Sequence, residues 1–355
     1  IVYYLLIYKL AMPATEKMIK ACEIEVRNRI RNGSLPGEFS GFEEEVCNGA
    51  VRGLDIDQFQ SLQKWADWLS FASVVLDERD YLRAAIYAIS LAPKLAGTDY
   101  GTARQRDLGQ LWTDAIRGFL GEIALANWLN QKFGIKATLC YRKGSLEEFL
   151  PSDIKEVNGR QPKLNISIKT TKLGGIWLDV PFKQIHHSDI FVLVRVGVGR
   201  EHFVAFLKAI SAIRDKILKM GLEMGVLSES EQREILDEIP EFRKIPAYIA
   251  GFLDKREFIA RLEKELVLIA DGSIKGRKSR KLVINRFLGF WNPDETEYKD
   301  AVLRKYRAEH SEAPADVEKI EFEGIGDFSR TQHFIASSGV LKKKECDWRN
   351  LVKEI

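Results

Sequence analysis

The chain has 355 residues, of which 45% are hydrophobic and 30% are charged, and this composition excludes a protein that is disordered over most of its length. The formal net charge of +3 neither demands nor excludes a polyanionic partner, so an argument for nucleic acid must come from the positions of the basic residues. The 4 cysteines contain no CxxC pair, which speaks against a zinc ribbon or a secreted disulfide framework, and we expect a cytoplasmic protein.

The first segment, residues 1–12, is apolar and aromatic but contains Lys9. It is much shorter than the roughly 20 residues that a membrane-spanning helix needs. We expect a packed strand or an upstream extension here, no membrane segment, and Met12 as an alternative start. The many Lys, Glu and Arg residues favour a thermophilic source.

Helices are predicted next, because apolar residues recur at helical spacing. The stretches with this pattern are residues 14–31, 59–76 and 78–96. The last of them is expected to end at Pro93, since proline breaks the helical hydrogen-bond ladder. Residues 1–100 are therefore predicted to form a helical N-terminal module.

A longer helix is predicted over residues 106–134, with Gly134 as its C-terminal stop. Its apolar residues recur at three- and four-residue steps. Glu122 lies on this apolar stripe, where an unpaired carboxylate is costly. The glutamate therefore needs a partner, either a cation of the protein or a bound ligand.

After Gly134 the apolar pattern changes to a period of two, which is typical of strands. The predicted strands are residues 135–142, 165–171, 175–180, 189–198, 202–210 and 245–254, with a short helix at 181–188 and helical residues at 209–244. A long helix followed by strands and a short interposed helix predicts an α/β or α+β core. We assign this core to residues 101–260.

The remaining region, residues 261–355, is rich in basic residues. One cluster comprises Lys275, Arg277, Lys278, Arg280 and Lys281, with Asn285, Arg286 and Trp291 close by, and a second comprises Lys342 to Lys344. Such clusters are either solvated loops or arms that neutralise phosphates. We expect a DNA-contacting region in which the first cluster and Arg286 take part.

Lys169 lies in the middle of an apolar strand, Ser167-Ile168-Lys169, and Asp153 lies on the segment before it. A lysine on the inward side of a strand needs an anion, which can be a protein carboxylate or a phosphate held by a metal. Alternate residues of a strand share a face, so Ser167 and Lys169 point the same way while the Ile168 carbonyl can reach a metal.

These residues resemble the PD-(D/E)xK nuclease superfamily and, within it, the type II restriction endonucleases. The matching parts are Pro151 to Asp153, Ser167 to Lys169, the helix that carries Glu122, and the short helix 181–188 before strand 189–198. The resemblance covers residues 107–208. It implies a restriction-endonuclease-like core of a mixed β-sheet flanked by helices.

The resemblance also implies a mechanism. Asp153 and Glu122 would hold Mg²⁺ together with the backbone carbonyl of Ile168, and Lys169 would orient or deprotonate the attacking water. Gln184 would support the site or contact the phosphate. The family has an acidic residue where this chain has Ser167, so another element must supply the carboxylate. Glu122 is the first choice, with Asp179 and Asp189 in reserve.

Each of these residues can also have a purely structural role. Asp153 is also a favoured turn residue, Lys169 can extend to a surface carboxylate, and Glu122 can pair with Arg117. His186 and His187 are expected at an exposed helix end, because adjacent histidines on a helix point in different directions.

The sequence thus predicts a Mg²⁺-dependent, sequence-specific endonuclease that cuts double-stranded DNA. A palindromic target cut on both strands requires two-fold symmetry, and we therefore expect a homodimer. Two alternatives stay open: a structure-directed nuclease such as a Holliday-junction resolvase, and a non-catalytic DNA-binding protein on a decayed nuclease core.

Overall fold

The computed structural model describes residues 14–96, 108–141, 152–275, 280–310, 317–326, 328 and 331–355. The helices within them are α1 Ala14–Arg31, α2 Glu43–Arg52, α3 Leu62–Ala72, α4 Glu78–Ala96, α5 Leu108–Phe133, α6 Phe182–Ile185, α7 Arg200–Ala209, α8 Leu218–Glu223, α9 Glu229–Glu238, α10 Ile259–Leu262, α11 Thr296–Glu309 and α12 Glu345–Leu351. The strands are β1 Ser73–Leu76, β2 Ala137–Leu139, β3 Ile154–Val157, β4 Ile166–Lys172, β5 Trp177–Pro181, β6 Ile190–Val196, β7 Ile245–Asp254, β8 Val267–Lys275, β9 Lys281–Trp291, β10 Lys319–Phe322 and β11 His333–Ser337. The mixed α/β architecture agrees with the predicted α+β class.

The first sheet has the strand order β1-β7-β6-β4. β4 runs parallel to β6, whereas β7 is antiparallel to both β6 and β1. Every residue of β6 is buried, because α4 and α5 pack on one face of this sheet and α3 and the second sheet pack on the other. β4 is therefore the edge strand of a sheet that is covered on both faces.

The second sheet has the order β10-β9-β11-β5, with β8 also paired to β9. Strand pairing crosses both predicted module boundaries. β1, from the N-terminal module, pairs with β7 of the core, and β11, from the C-terminal region, pairs with β5. The three predicted segments therefore share their sheets and their cores.

Three local predictions were wrong. Residues 202–209 of this predicted strand lie in helix α7, in which Phe203 and Phe206, three residues apart, both contact the Trp112 ring. A short apolar run fits both periods, and packing decided between them. The predicted helix 59–76 ends at Ala72, because the following β-branched residues pair with β7 in β1. Helix α4 continues past Pro93 to Ala96.

A buried ion cluster connects distant parts of the chain. Arg195 of β6 donates to an Asp55 carboxylate oxygen at 2.7 Å, to the Tyr248 hydroxyl at 2.6 Å and to the Ser338 hydroxyl at 2.9 Å. Lys343 donates to the other Asp55 oxygen at 2.6 Å. The side chains of Asp55, Arg195 and Lys343 are fully buried. One carboxylate thus faces two buried cations.

Burial and the neighbouring charges together explain the pKa shifts of Asp55 and Lys343. Burial alone would raise the pKa of Asp55, but the attraction of Lys343 and Arg195 outweighs it and the pKa is lowered. Burial lowers the pKa of Lys343, against the attraction of Asp55. The expectation that Lys342 to Lys344 form one solvated or phosphate-binding cluster is wrong for Lys343, which lies inside the protein.

We predict that Asp55→Asn lowers the free energy of unfolding by about 3–5 kcal/mol, because it leaves two buried cations without their anion. Lys342→Ala is the matched control. Lys342 pairs with Glu257 at the surface, and its loss should change the free energy of unfolding by less than about 1 kcal/mol. Urea unfolding measures both, and equal effects of the two substitutions would contradict the role of the cluster.

Candidate active site

The site is built where the chain approaches the open edge of β4. The Asp153 N–H donates to the Ile166 carbonyl at 2.8 Å, and the Cys140 N–H donates to the Asp153 carbonyl at 2.8 Å. The Ser152 hydroxyl accepts the Ile166 N–H at 3.1 Å. Asp153 is therefore fixed between two extended segments, and its side chain points along β4.

The Asp153 carboxylate accepts a backbone hydrogen bond from β4 of the kind that a neighbouring strand would accept. Its Oδ2 accepts the Ile168 N–H at 2.6 Å, and the Ser167 hydroxyl lies close enough to lower the pKa of the carboxylate. In a strand, the N–H and C=O of one residue point to the same edge, so the Ile168 carbonyl faces the same open edge as Asp153. Burial raises the pKa of Asp153, while the Ile168 N–H and the Lys169 charge act in the opposite direction.

Lys169 is held from the other side by helix α6. Its Nζ donates to Gln184 Oε1 at 2.5 Å. Burial lowers the pKa of Lys169, and the charges of Asp153, Asp179 and Glu122 counteract this effect. The ammonium group is thus hydrogen-bonded to the Gln184 amide and lies within the electrostatic reach of three carboxylates.

Glu122 reaches the site from helix α5. Its Oε2 is buried and has no hydrogen-bond partner. Burial, followed by the nearby Asp153 charge, raises the pKa of Glu122 well above its usual value. The alternative partner, Arg117, donates instead to Asp114 at 3.4 Å. An acceptor left unpaired in this way is costly and calls for an explanation by a ligand or a proton.

Close packing of α5 on β4 places Glu122. Gly121 lies against Thr170, where a Cβ atom would come within 1.9 Å of the Thr170 hydroxyl oxygen. The same hydroxyl donates to the Gly118 carbonyl at 3.2 Å. The absence of a side chain at Gly121 therefore lets the helix approach the strand and sets the depth at which Glu122 enters the site.

The structure brings together Glu122, Asp153, Ser167, the Ile168 backbone, Lys169 and Gln184; their catalytic roles stay predictions. Of the reserve carboxylates, Asp189 accepts the Asn165 N–H at 2.9 Å and thereby caps the start of β4. Asp179 lies near Lys169 and bonds His333 Nδ1 at 2.6 Å. Pro151 lies outside the described residues.

His333 is the residue of this region that sequence reasoning missed. It follows Asp179 by 154 positions and belongs to β11, which pairs with β5. No spacing rule links two positions so far apart. His186 and His187 are exposed at the end of α6, as predicted.

Some of the basic residues that were predicted to contact DNA pair with acidic residues of the protein. Lys275 pairs with Glu323 at 3.3 Å, and Lys281 pairs with Glu321 at 2.9 Å. Arg286 is exposed and lies opposite Asp271 in the strand register. Arg280 directly precedes β9, and Arg277 and Lys278 lie outside the described residues. DNA contact by this group stays a prediction.

The groups near the edge of β4 include oxygen atoms that could serve as metal ligands. Among the described residues, three or more His, Cys, Asp or Glu side chains nowhere gather as a ligand group. Two carboxylates and one backbone carbonyl meet at the edge of β4 instead. This set fits Mg²⁺, which is commonly bound by one or two carboxylates and retains several waters.

A scan of protein-family models, a search of curated proteins and a search of solved structures each find no match to this chain. In the described part of the chain, no helix combines the length and apolar character that crossing a membrane requires. The function must therefore be inferred from the chemistry of the site.

We predict opposite effects from two alanine substitutions on α5. Gly121→Ala should lower the free energy of unfolding by about 1–3 kcal/mol, because the new methyl group overlaps the stiff Thr170 side chain. Gly118→Ala is the matched control, since its Cβ meets no atom within 4 Å. It should raise the free energy of unfolding by about 0.5–1 kcal/mol. Equal effects in chemical denaturation would show that α5 does not depend on this contact.

We predict that Glu122→Gln stabilises the metal-free protein at neutral pH by about 1–3 kcal/mol, because a buried, unpaired carboxylate is removed. The pKa of Glu122 is raised in the folded state, so the wild type loses stability as pH rises above the usual value of 4.5. Below that pH the difference should vanish, since the carboxyl group is then protonated in both states. Unfolding curves from pH 4 to pH 8 measure this.

Variants at Glu122 and Asp153 also test whether the site binds a metal. MgCl₂ should raise the melting temperature of the wild type but not that of Glu122→Gln or Asp153→Asn. Glu156→Gln, on β3, is the control and should respond to MgCl₂ as the wild type does. A wild type that gains no stability from Mg²⁺ or Mn²⁺ would contradict a metal site here.

Proposed function

We propose that this protein is a Mg²⁺-dependent endonuclease for double-stranded DNA, with a site of the PD-(D/E)xK kind. The proposal rests on one observation: the side chains of Glu122, Asp153 and Lys169 lie together at the open edge of β4. Two half-buried carboxylates with raised pKa values and a half-buried lysine are expensive to maintain. Such strongly perturbed groups are concentrated at functional sites.

The metal would be held by Asp153, Glu122 and the Ile168 carbonyl. When bound, Mg²⁺ supplies positive charge that polarises a phosphate and makes water a better nucleophile. It would also supply the missing partner of Glu122 Oε2. The Ser167 hydroxyl adds no charge but orients the Asp153 carboxylate, so Glu122 is the residue that replaces the family's second acidic ligand.

Lys169 provides the fixed positive charge on the protein side. Its hydrogen bond to Gln184 directs the ammonium group away from a fully solvated position. A buried cation near a scissile phosphate stabilises the charge that develops during hydrolysis, because little reorganisation is needed. The lowered pKa also makes a neutral amine more accessible, which suits proton abstraction from water.

The order of elements supports the restriction-endonuclease-like core as part of this proposal. Helix α5, strands β3 and β4, helix α6 and the parallel strand β6 follow one another as in the resemblance. β5 departs from it, since it pairs with β11 in the second sheet. For a palindromic target, the proposal includes a homodimer, which sedimentation of the protein with and without DNA would detect.

We predict that the purified protein, incubated with a plasmid of known sequence, yields discrete fragments with Mg²⁺ and none with EDTA. Asp153→Asn and Lys169→Ala should each lower the cleavage rate by about 100-fold or more, because each removes charge stabilisation that no other group replaces. Lys155→Ala is the matched control: Lys155 is exposed on β3 and pairs with Glu156, so cleavage should be unchanged.

The pattern of products separates the candidate functions. Fixed fragment ends identify a sequence-specific enzyme, whereas preference for a four-way junction over linear DNA identifies a structure-directed one. DNA binding without cleavage, together with no effect of Mg²⁺ on stability, would leave the non-catalytic alternative. Equal cutting by Lys169→Ala and Lys155→Ala would refute the assignment of the site.

A further inference from the structure

A cavity of about 450 Å³ lies between α4, α5 and β2. This volume is in the range of about 300–1,000 Å³ that is typical of small-molecule sites. Its distinctive lining residues are Arg83, Tyr87, Asn127, Asn130, Lys136 and Tyr141. Aromatic, amide and cationic groups are thus all present in one pocket.

The pocket is next to the candidate active site. On α5 it begins at Ile123 and Ala126, directly after Glu122, and one helical turn spans only ~5.4 Å. Burial, followed by the Glu122 charge, raises the pKa of Tyr141 above its usual value, so Tyr141 lies within the electrostatic reach of Glu122. A substrate whose phosphate reaches Lys169 would therefore place a neighbouring nucleotide at this pocket.

Two tyrosines form an aromatic platform in the pocket. The rings of Tyr87 and Tyr141 stack at 3.4 Å between centroids with an interplanar angle of 10°, and Phe119 packs against Tyr141 at 5.6 Å. The Tyr87 and Tyr141 side chains are half-buried, so each keeps surface that can meet a ligand. A flat, supported aromatic surface of this kind is suited to stacking a planar ring system.

The polar groups around the platform match the rest of a nucleotide. Asn127 and Asn130 carry amide groups, which can pair with the donors and acceptors on a base edge. Arg83 and Lys136 are exposed cations at the rim and can neutralise phosphates. Asn127 is oriented by its hydrogen bond to Asp80 Oδ2 at 3.3 Å, which turns its amide nitrogen toward α4.

We propose that this pocket binds one unpaired nucleotide of the DNA substrate, with its base stacked on the outer face of the Tyr87–Tyr141 pair and its phosphate near Arg83 and Lys136. The inference rests on the proposed nuclease function and narrows its substrate class. DNA with a bulged, flipped or otherwise unpaired nucleotide near the cut is then the preferred substrate. Bases inside an intact duplex cannot reach such a pocket, because they are stacked and paired.

The test measures binding without cleavage, in EDTA, to two labelled duplexes that differ by one bulged 2-aminopurine. The wild type should bind the bulged duplex roughly tenfold more tightly by fluorescence anisotropy and should quench the 2-aminopurine by stacking. Tyr87→Ala should weaken binding of the bulged duplex by roughly 5- to 100-fold and remove the quenching, while affinity for the paired duplex stays the same.

Conservative and distant variants control for folding. Tyr87→Phe keeps the ring and should retain the preference and the quenching. Arg83→Ala should weaken binding of the bulged duplex, whereas Arg233→Ala, on the exposed surface of α9, should not. Equal affinity of the wild type for both duplexes without quenching would overturn the pocket assignment and leave the nuclease proposal intact. Failure of the wild type to bind the bulged duplex would also overturn the pocket assignment, while the plasmid cleavage assay decides the nuclease proposal separately.

Discussion

A single buried carboxylate, Asp55, compensates two buried cations, and the arrangement of the whole chain depends on it. Arg195 comes from the central strand β6, Lys343 comes from the segment before α12, and Asp55 comes from the loop after α2. Each charge alone would be very costly in the interior, so the three segments are stable only together. The cluster thereby connects the N-terminal helices and the C-terminal region to the sheet that carries the candidate active site.

The candidate site has the opposite balance of charge. At the Asp55 cluster positive charge is in excess and the hydrogen bonds are complete, whereas at the edge of β4 two carboxylates share one lysine and a Glu122 oxygen lacks a partner. The first arrangement is closed and stabilising. The second is incomplete, and a cation or a proton would complete it, so the first cluster supports the fold and the second is the candidate for a functional role.

The pocket beside Glu122 and the candidate active site share helix α5. Glu122, Asn127 and Asn130 all lie on α5, and the contact of Gly121 with Thr170 fixes that helix against β4. A change in how α5 packs would therefore alter the proposed metal ligand and the proposed nucleotide pocket together. Recognition and chemistry on one rigid element are positioned more reliably than on separate loops.

The sequence by itself determined the elements with strong periodicity: α1, the long helix α5 with its stop at Gly134, and the strands β4, β6 and β7. It also indicated Asp153, Ser167 and Lys169, because a charged residue within an apolar strand is a local signal. It did not determine the pairing of β5 with β11, the helical form of 202–210, or the positions of His333, Tyr87 and Tyr141. Those depend on which segments pack together. Contacts between residues far apart in the chain leave no trace in spacing, and only the tertiary structure decided them.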